Sequence, residues 1–254
     1  MNPILRRQLA VDFCVSENEV DDRRNHFSVW MPLPERRVFL DSDDCVLKAA
    51  VVNGKILMSG TPEIIAECEK RFRDGNGAWF MEMNVLRQID SLVRKAGYRV
   101  GSAHPFFIAE RITASDTQGM DIRMYERDEI PRFKTDGRLG EAFLFSERPR
   151  DELGIGAFDE KGELLGMAGA SSDSDSMWQI GINVMPGAEG RGIGTLLVAL
   201  LKNEILRRGR LPFYGTAMSH IASQRVALGA GFVPSWTELY CERVKPEEGK
   251  RTEP

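Results

Sequence analysis

A run of glycines directly before an amphipathic helix is the feature that most constrains this sequence. The stretch MPGAEGRGIGTLLVALL, residues 185–201, has glycines at positions 187, 190, 192 and 194. Glycine inside a regular element costs roughly 0.5–1 kcal/mol of conformational entropy relative to alanine, so such a cluster needs a compensating role. Apolar residues then recur with helical spacing from Ile193 to Ile205, which predicts a helix over about 193–208.

Two well-known phosphate-binding loops fit this stretch poorly. Gly187 and Gly192 have the separation of a Walker A loop, but the residues that follow them are not the required Lys and Ser/Thr. A dinucleotide fingerprint that starts at Gly190 would need its third glycine where Thr195 stands. Neither class of nucleotide-binding protein is therefore favoured by these residues.

The remaining functional interpretation is a strand–turn–helix whose bare backbone amides surround a pyrophosphate. Glycines let an anion approach closely, and the helix N-terminus adds partial positive charge. Arg191 and the hydroxyl of Thr195 would add donors. A tight turn without any ligand is the alternative that the stretch alone leaves open.

Composition excludes several classes of protein. Apolar residues make up 42% and charged residues 28% of the 254 residues, as in folded globular proteins, and the formal net charge of −4 argues against general nucleic-acid binding. No apolar run approaches the roughly 20 residues that span a bilayer, and the N-terminus lacks a signal-peptide core, so we expect a cytoplasmic protein. The cysteines stand far apart without a CxxC pair, and with only three histidines we expect no metal site.

The pattern of elements divides the chain into two parts. In the first, strands are predicted at 26–33 and 37–40, a hairpin at 45–60 around Asn53-Gly54, helices at 62–72 and 84–96, and an extended segment at 98–109. In the second, a short helix and loop at 129–139 precede strands within 152–171, a strand at 177–184, the helix after the glycines, a strand at 211–217, a helix at 219–230 and a final strand. We therefore predict an N-terminal α+β accessory domain (1–111), a second domain (112–245) and a disordered charged tail (246–254).

Two short motifs in the second part occur together in one family. The stretch EGRGIG, preceded by Val184-Met185-Pro186, resembles the Arg/Gln-x-x-Gly-x-Gly/Ala motif of the GNAT acyl-CoA-dependent N-acetyltransferases, with Glu189 in the Arg/Gln place. The stretch HIASQRVALGAGF resembles their second motif, Asn-x-x-Ser-x-Arg-x-Tyr-x-x-x-Gly-Phe, with His220 in the Asn place. From about Leu153 to Tyr240 the order of elements also agrees. The second half of the chain is thus similar to the GNAT superfamily, while the first hundred residues do not match its core.

The resemblance implies a fold, an activity and a cofactor site. The fold would be α/β (α+β), a GNAT-type mixed sheet flanked by helices. The activity would be transfer of an acetyl group from acetyl-CoA, as acyl donor, directly to the primary amine of a small molecule; a homodimer is compatible with the sequence. The strands at 177–184 and 211–217 would part to admit the donor. Its binding residues would be Ile182, Val184, Glu189, Gly190, Arg191, Gly192, Ile193, Gly194, Thr195, His220 and Ser223.

The sequence departs from the family pattern at two positions. Glu189 brings a carboxylate towards phosphates, which is unfavourable unless the side chain points away or pairs with Arg191. Ala227 stands where many members carry a tyrosine that protonates the leaving thiolate, so the proton donor must be another group or water. These departures support an alternative function, a non-catalytic acyl-CoA-binding module whose N-terminal domain binds a partner.

The sequence offers several candidates for the general base and for the general acid. For the base we consider Glu238, Glu141, Asp175 and His220, and for the acid Tyr240 and Tyr214. We predict His220, Tyr240 and Glu238 as the catalytic set. For His220 the competing role is a helix cap, and for the tyrosines it is half-buried packing.

Overall fold

A single mixed sheet of ten strands runs through the described chain. The structure is a computed structural model that describes residues 1–38, 45–117 and 119–244. The strands are β1 (His26–Val29), β2 (Leu47–Val52), β3 (Lys55–Gly60), β4 (Tyr98–Ile108), β5 (Asp121–Glu126), β6 (Arg150–Phe158), β7 (Leu164–Ser172), β8 (Met177–Val184), β9 (Leu211–Gly215) and β10 (Val233–Arg243). In the same residues the α-helices are α1 (Pro3–Asp12), α2 (Glu17–Asp21), α3 (Pro62–Phe72), α4 (Met83–Arg94), α5 (Ile193–Arg207) and α6 (Ile221–Gly229). No helix of this described part is long and apolar enough to cross a bilayer.

The strand order is β1-β3-β2-β10-β4-β9-β8-β7-β6-β5, and it confirms the predicted mixed sheet with flanking helices. Strand β4 comes from the first part of the chain but lies between β9 and β10 of the second part, antiparallel to both. The hairpin β2–β3 then extends the sheet beyond β10. The sheet is thus continuous across residue 112, where we place a domain boundary, and that boundary stays a prediction.

Most elements form where local pattern predicts them. The hairpin β2–β3 turns at Asn53 and Gly54, both with positive φ, and helix α5 begins at Ile193 as predicted. Helices α1 and α2 and strand β5 were not predicted. Strand β5 is an edge strand with Tyr125 as its single buried residue, so it lacks the apolar alternation by which strands are recognised. The predicted strand at 37–40 falls partly, and the tail at 246–254 wholly, outside the described residues.

The two faces of the sheet carry different elements, and both faces contribute to the site. On one side, called here the α5 face, helices α5 and α6 bury Ile180 and Tyr214 of β8 and β9. On the other, the α1 face, helix α1 packs against Met177 and Phe213. Because successive side chains of a strand alternate between faces, odd-numbered residues of β8 point to the α1 face. The segment 127–145 also covers the α1 face, where Glu141 lies over Gly181.

Candidate functional site

A cavity of about 880 Å³ opens where β8 and β9 part. These parallel strands pair from Met177–Leu211 to Gln179–Phe213, and no pair follows although β8 continues to Val184. The cavity takes residues from both faces of the sheet, including Tyr214 of the α5 face and Glu141 of the α1 face. It therefore passes through the sheet from one side to the other.

The glycine turn forms one end of this cavity. Gly190 and Gly192 have φ values of +71° and +79°, a region that L side chains rarely adopt. A Cβ built at either residue would meet no atom within 4 Å, so the space in front of both peptides is open. Gly192 is also the N-cap of α5, and the first N–H groups of a helix have no acceptor in a preceding turn. The turn thus offers backbone donors and the positive end of a helix dipole.

Glu189 is engaged by the turn itself. Its Oε2 accepts a hydrogen bond from the backbone N–H of Gly187 at 2.6 Å. The carboxylate is therefore partly compensated by an amide of the same loop rather than by Arg191, which is exposed. This hydrogen bond partly offsets the unfavourable negative charge that Glu189 brings to the turn.

The structure gathers nearly all of the predicted cofactor-binding residues around this cavity. Among the described residues, the single predicted one outside the lining is Arg191. Those that line the cavity are Ile182, Val184, Glu189, Gly190, Gly192, Ile193, Gly194, Thr195, His220 and Ser223.

The start of α6 forms the second wall on the α5 face. His220 is the N-cap of this helix, and its Nδ1 accepts from the backbone N–H of Ser223 at 3.4 Å, a long bond. The hydroxyl groups of Ser223 and Tyr214 lie 2.8 Å apart. His220 thus takes the capping position that was its competing role, while it also lines the cavity.

Tyr214 brings a buried phenol to the cavity. Its relative exposure is 2%, and burial raises the pKa of the phenol against the opposing effect of the hydrogen bond with Ser223. The phenol therefore stays protonated at neutral pH and can donate a proton. Ala227, which takes the place of the family's tyrosine, is fully buried among the residues under α5 and α6.

A loop laid directly on the sheet forms the wall on the α1 face. Gly154, Gly169 and Gly181 lie side by side in register on β6, β7 and β8. The loop crosses them so closely that a Cβ on Gly181 would stand 1.8 Å from the carbonyl oxygen of Glu141. The side chain of Asn183 fixes the loop, its Oδ1 accepting from the backbone N–H groups of Glu141 and Ala142 at 3.0 and 2.8 Å. A row of glycines thus sets the position of Glu141.

We expect Gly181→Ala to destabilise the protein and to displace this loop. The added methyl would collide with backbone, which cannot rotate away, so a loss of about 1–3 kcal/mol or more in the free energy of unfolding is expected. Urea unfolding measures it. Gly137→Ala is the matched control, because its Cβ would meet no atom within 4 Å. Equal stability of the two variants would contradict this description of the loop.

His104 is a cavity residue that the sequence did not single out. It lies on β4, in the first part of the chain, and lines the cavity beside Gly215 and Thr216. Partial burial lowers the pKa of its imidazole. Sequence pattern could not find it, because the position of β4 next to β9 depends on pairing between distant segments.

The structure does not bring Glu238 and Tyr240 to the cavity, although we predict both as catalytic. They lie on β10, and β4 separates β10 from β9. Glu238 is 2% exposed, is paired with Arg37, and accepts from Trp236 Nε1 at 2.7 Å and from the hydroxyl of Tyr240. These contacts place Glu238 and Tyr240 in a buried cluster away from the cavity. Of the predicted catalytic set, His220 alone lines the cavity, and its catalytic role stays a prediction.

Fold and site together define an α/β protein that presents a helix N-terminus to a cleft between parting strands. Residues 121–232 match the model of the acetyltransferase (GNAT) family. The findings thus support a GNAT acetyltransferase domain at residues 121–232, somewhat less than half of the chain. No curated protein sequence matches the chain significantly.

Several solved structures are similar to this chain. An acetyltransferase of the GNAT family from Novosphingobium aromaticivorans has 20% identity and a TM-score of 0.44, over 59% of this chain and 69% of its own. A GCN5-related N-acetyltransferase from Kribbella flavida has 14% identity and a TM-score of 0.46, over 62% and 64%. One from Sphaerobacter thermophilus has 14% identity and a TM-score of 0.49, over 96% and 93%.

Proposed function

We propose that this protein transfers an acetyl group from acetyl-CoA directly to the primary amine of a small molecule. The observation that carries the proposal is the cavity that passes through the sheet between β8 and β9. A donor bound on the α5 face can present its thioester at the parting of the strands, and an amine can reach it from the α1 face. A cytoplasmic location and a homodimer stay predictions of the sequence.

The residues of the α5 face fit a diphosphate with an extended arm. The open space before Gly190 and Gly192, and the first N–H groups of α5, suit the diphosphate. Residues 180–184 of β8 lie beyond the last pair with β9, so peptide groups on that edge can pair with the amide groups of pantetheine. Arg225 adds a cation to the lining.

The chemistry needs an unprotonated amine and a proton for the leaving sulfur. Tyr214, on the α5 face, is the donor we assign, because its phenol is protonated, buried and part of the cavity lining. Glu141 lies on the α1 face, and its negative charge at the entrance of the cavity would attract an ammonium group. The exposed Leu144 beside it offers apolar contact to the body of such an amine.

The alternative, a non-catalytic acyl-CoA-binding module, is favoured by one observation. Ala227 is fully buried and cannot replace the family's tyrosine. A thiol-release assay with acetyl-CoA and a panel of amines separates the two functions. Release that depends on the amine supports the enzyme, whereas tight binding without turnover across the panel supports the module.

Gly192→Val should abolish acetyl-CoA binding. A β-branched residue at positive φ costs about 1–2 kcal/mol and fills the space before the turn, so we expect at least a hundredfold rise in Kd by calorimetry. Gly209→Val is the matched control: its φ is +71°, its Cβ also meets no atom within 4 Å, and it follows the other end of α5. Unchanged affinity of Gly192→Val would show that the diphosphate binds elsewhere.

A further inference from the structure

We propose that His104, a residue of the first part of the chain, is the base that takes the proton from the acceptor amine. This inference rests on the proposed function and adds the residue that activates the amine. It also gives the first part of the chain a catalytic role, since that part supplies strand β4.

The position of His104 is set by the pairing of β4. Residues Phe106–Ile108 of β4 pair with Phe213–Gly215 of β9, and the N–H of Thr216 reaches the carbonyl of Pro105 at 3.4 Å. The chain just before Phe106 therefore runs past the end of β9, where the cavity opens. His104 stands at that opening.

The alternation of the strand puts His104 on the α1 face. Phe106, two residues further on, packs on that face with Phe213 and Trp236. Glu141 reaches the cavity from the same face. His104 thus lies on the side from which the amine arrives, across the sheet from the glycine turn.

Comparison of the three histidines favours His104 as the base. His26 is held by Asp22 and Glu19, with its Nε2 2.8 Å from Asp22 Oδ1. His220 uses its Nδ1 at the start of α6. For His104 the described residues provide no hydrogen-bond or ion-pair partner, so its ring nitrogens are available to a ligand.

Within the part of the chain that the structure describes, no neighbouring charge offsets the effect of burial on the pKa of His104. Glu238 is its register partner on β10, but that carboxylate is compensated by Arg37. Tyr214 of β9 is a protonated phenol, and Glu141 is the carboxylate that shares the cavity. Burial is the cause that lowers the pKa of His104, so the imidazole is unprotonated at neutral pH and can accept a proton.

The proton balance of the step is complete with these groups. A ring nitrogen of His104 takes one proton from the ammonium group, which frees the lone pair for attack on the acetyl carbon. The new C–N bond forms, the C–S bond breaks, and its electron pair leaves on sulfur. Tyr214 protonates that sulfur and is reprotonated by the second proton lost from nitrogen. His104 releases its proton to solvent.

The test is the pH dependence of kcat for His104→Gln, measured by thiol release with an amine that the wild type uses. We expect a 10²- to 10⁴-fold lower kcat, a Kd for acetyl-CoA within twofold of wild type, and loss of the acidic limb of the wild-type profile. His26→Gln is the matched control and should keep the wild-type limb. Glu141→Gln tests the competing base.

The outcomes separate the two proposals. If the wild type turns over and His104→Gln keeps its rate and its acidic limb, or if the limb is lost in Glu141→Gln instead, the assignment of His104 is wrong while the proposed function stands. If the wild type binds acetyl-CoA and no amine is turned over, the proposed function fails, and the role of His104 fails with it. Thermal unfolding and acetyl-CoA binding show whether a slow variant is folded.

Discussion

Arg37→Met is expected to reduce the free energy of unfolding by about 3–5 kcal/mol, the usual cost of leaving buried charges unpaired. The guanidinium is 5% exposed and joins Asp12, at 2.6 Å, to Glu238. It also lies over the rings of Trp236 and Phe213, with its carbon 5.1 and 5.7 Å from their centroids. Methionine fills much of the same volume but leaves both carboxylates without their cation.

A matched pair of variants separates this effect from the loss of a surface ion pair. Arg99 binds Glu242 at 2.6 Å on the same strand pair, β4 and β10, but both side chains are about half exposed. Arg99→Met should therefore cost less than about 1 kcal/mol. Urea midpoints at equal m-values give both numbers. If Arg37→Met proves too unstable to purify, Arg37→Lys, which keeps the charge but loses the planar fork, should show a smaller loss.

The difference in free energy of unfolding between wild type and Arg37→Met should become smaller as pH falls. Burial raises the pKa of Glu238, and the charge of Arg37 opposes that rise. Burial also raises the pKa of Asp173 to about 7, again against Arg37. A carboxyl group whose folded pKa lies above its unfolded value binds protons preferentially in the fold, so stability declines as pH rises towards the folded pKa. Without Arg37 the free energy of unfolding should fall more steeply as pH rises. If wild type and Arg37→Met differ in free energy of unfolding by the same amount at pH 5 and pH 8, this explanation is wrong.

The buried cluster around Arg37 and Glu238 shows why one part of the candidate site could be predicted from the sequence and another part could not. Strand β8, the glycine turn, α5, β9 and α6 follow one another in the chain, so one stretch of sequence carries most of the wall that we propose for the cofactor. Glu238 is predicted as a catalytic residue on the final strand, but the sequence does not show which strand lies between β10 and β9. The insertion of β4 between them moves Glu238 one strand away and puts His104 at the opening instead. That exchange depends on pairing between segments far apart in the chain, which no local pattern encodes.

Glu141 illustrates a second limit of local reasoning. It was considered as a base from the sequence, but its position depends on the three glycines of β6, β7 and β8. Each of these glycines, read alone, is simply a weak strand residue. Only the strand register shows that the three glycines lie side by side, where a loop can pack directly on the sheet. The register of neighbouring strands was thus the missing information for both His104 and Glu141.

Tyr214→Phe is expected to lower kcat by 10²- to 10⁴-fold and to leave acetyl-CoA affinity unchanged, if Tyr214 protonates the leaving thiolate. The variant keeps the buried ring and removes only the hydroxyl group, whose partner Ser223 lines the cavity and can bind water. The expected cost in stability is therefore about 1 kcal/mol. Tyr125→Phe is the control, since Tyr125 is also a buried phenol with a raised pKa but lies on β5, outside the cavity lining.

The leaving group distinguishes proton donation from a positioning role of Tyr214. The acetyl selenoester of coenzyme A releases a selenolate, which is far less basic than a thiolate and needs no proton to depart. If Tyr214 acts as the acid, the defect of Tyr214→Phe should nearly vanish with this donor, while the defect of His104→Gln should remain because the amine must still lose its proton. A defect of the same size with both donors would mean that the hydroxyl group only orders Ser223 and the start of α6.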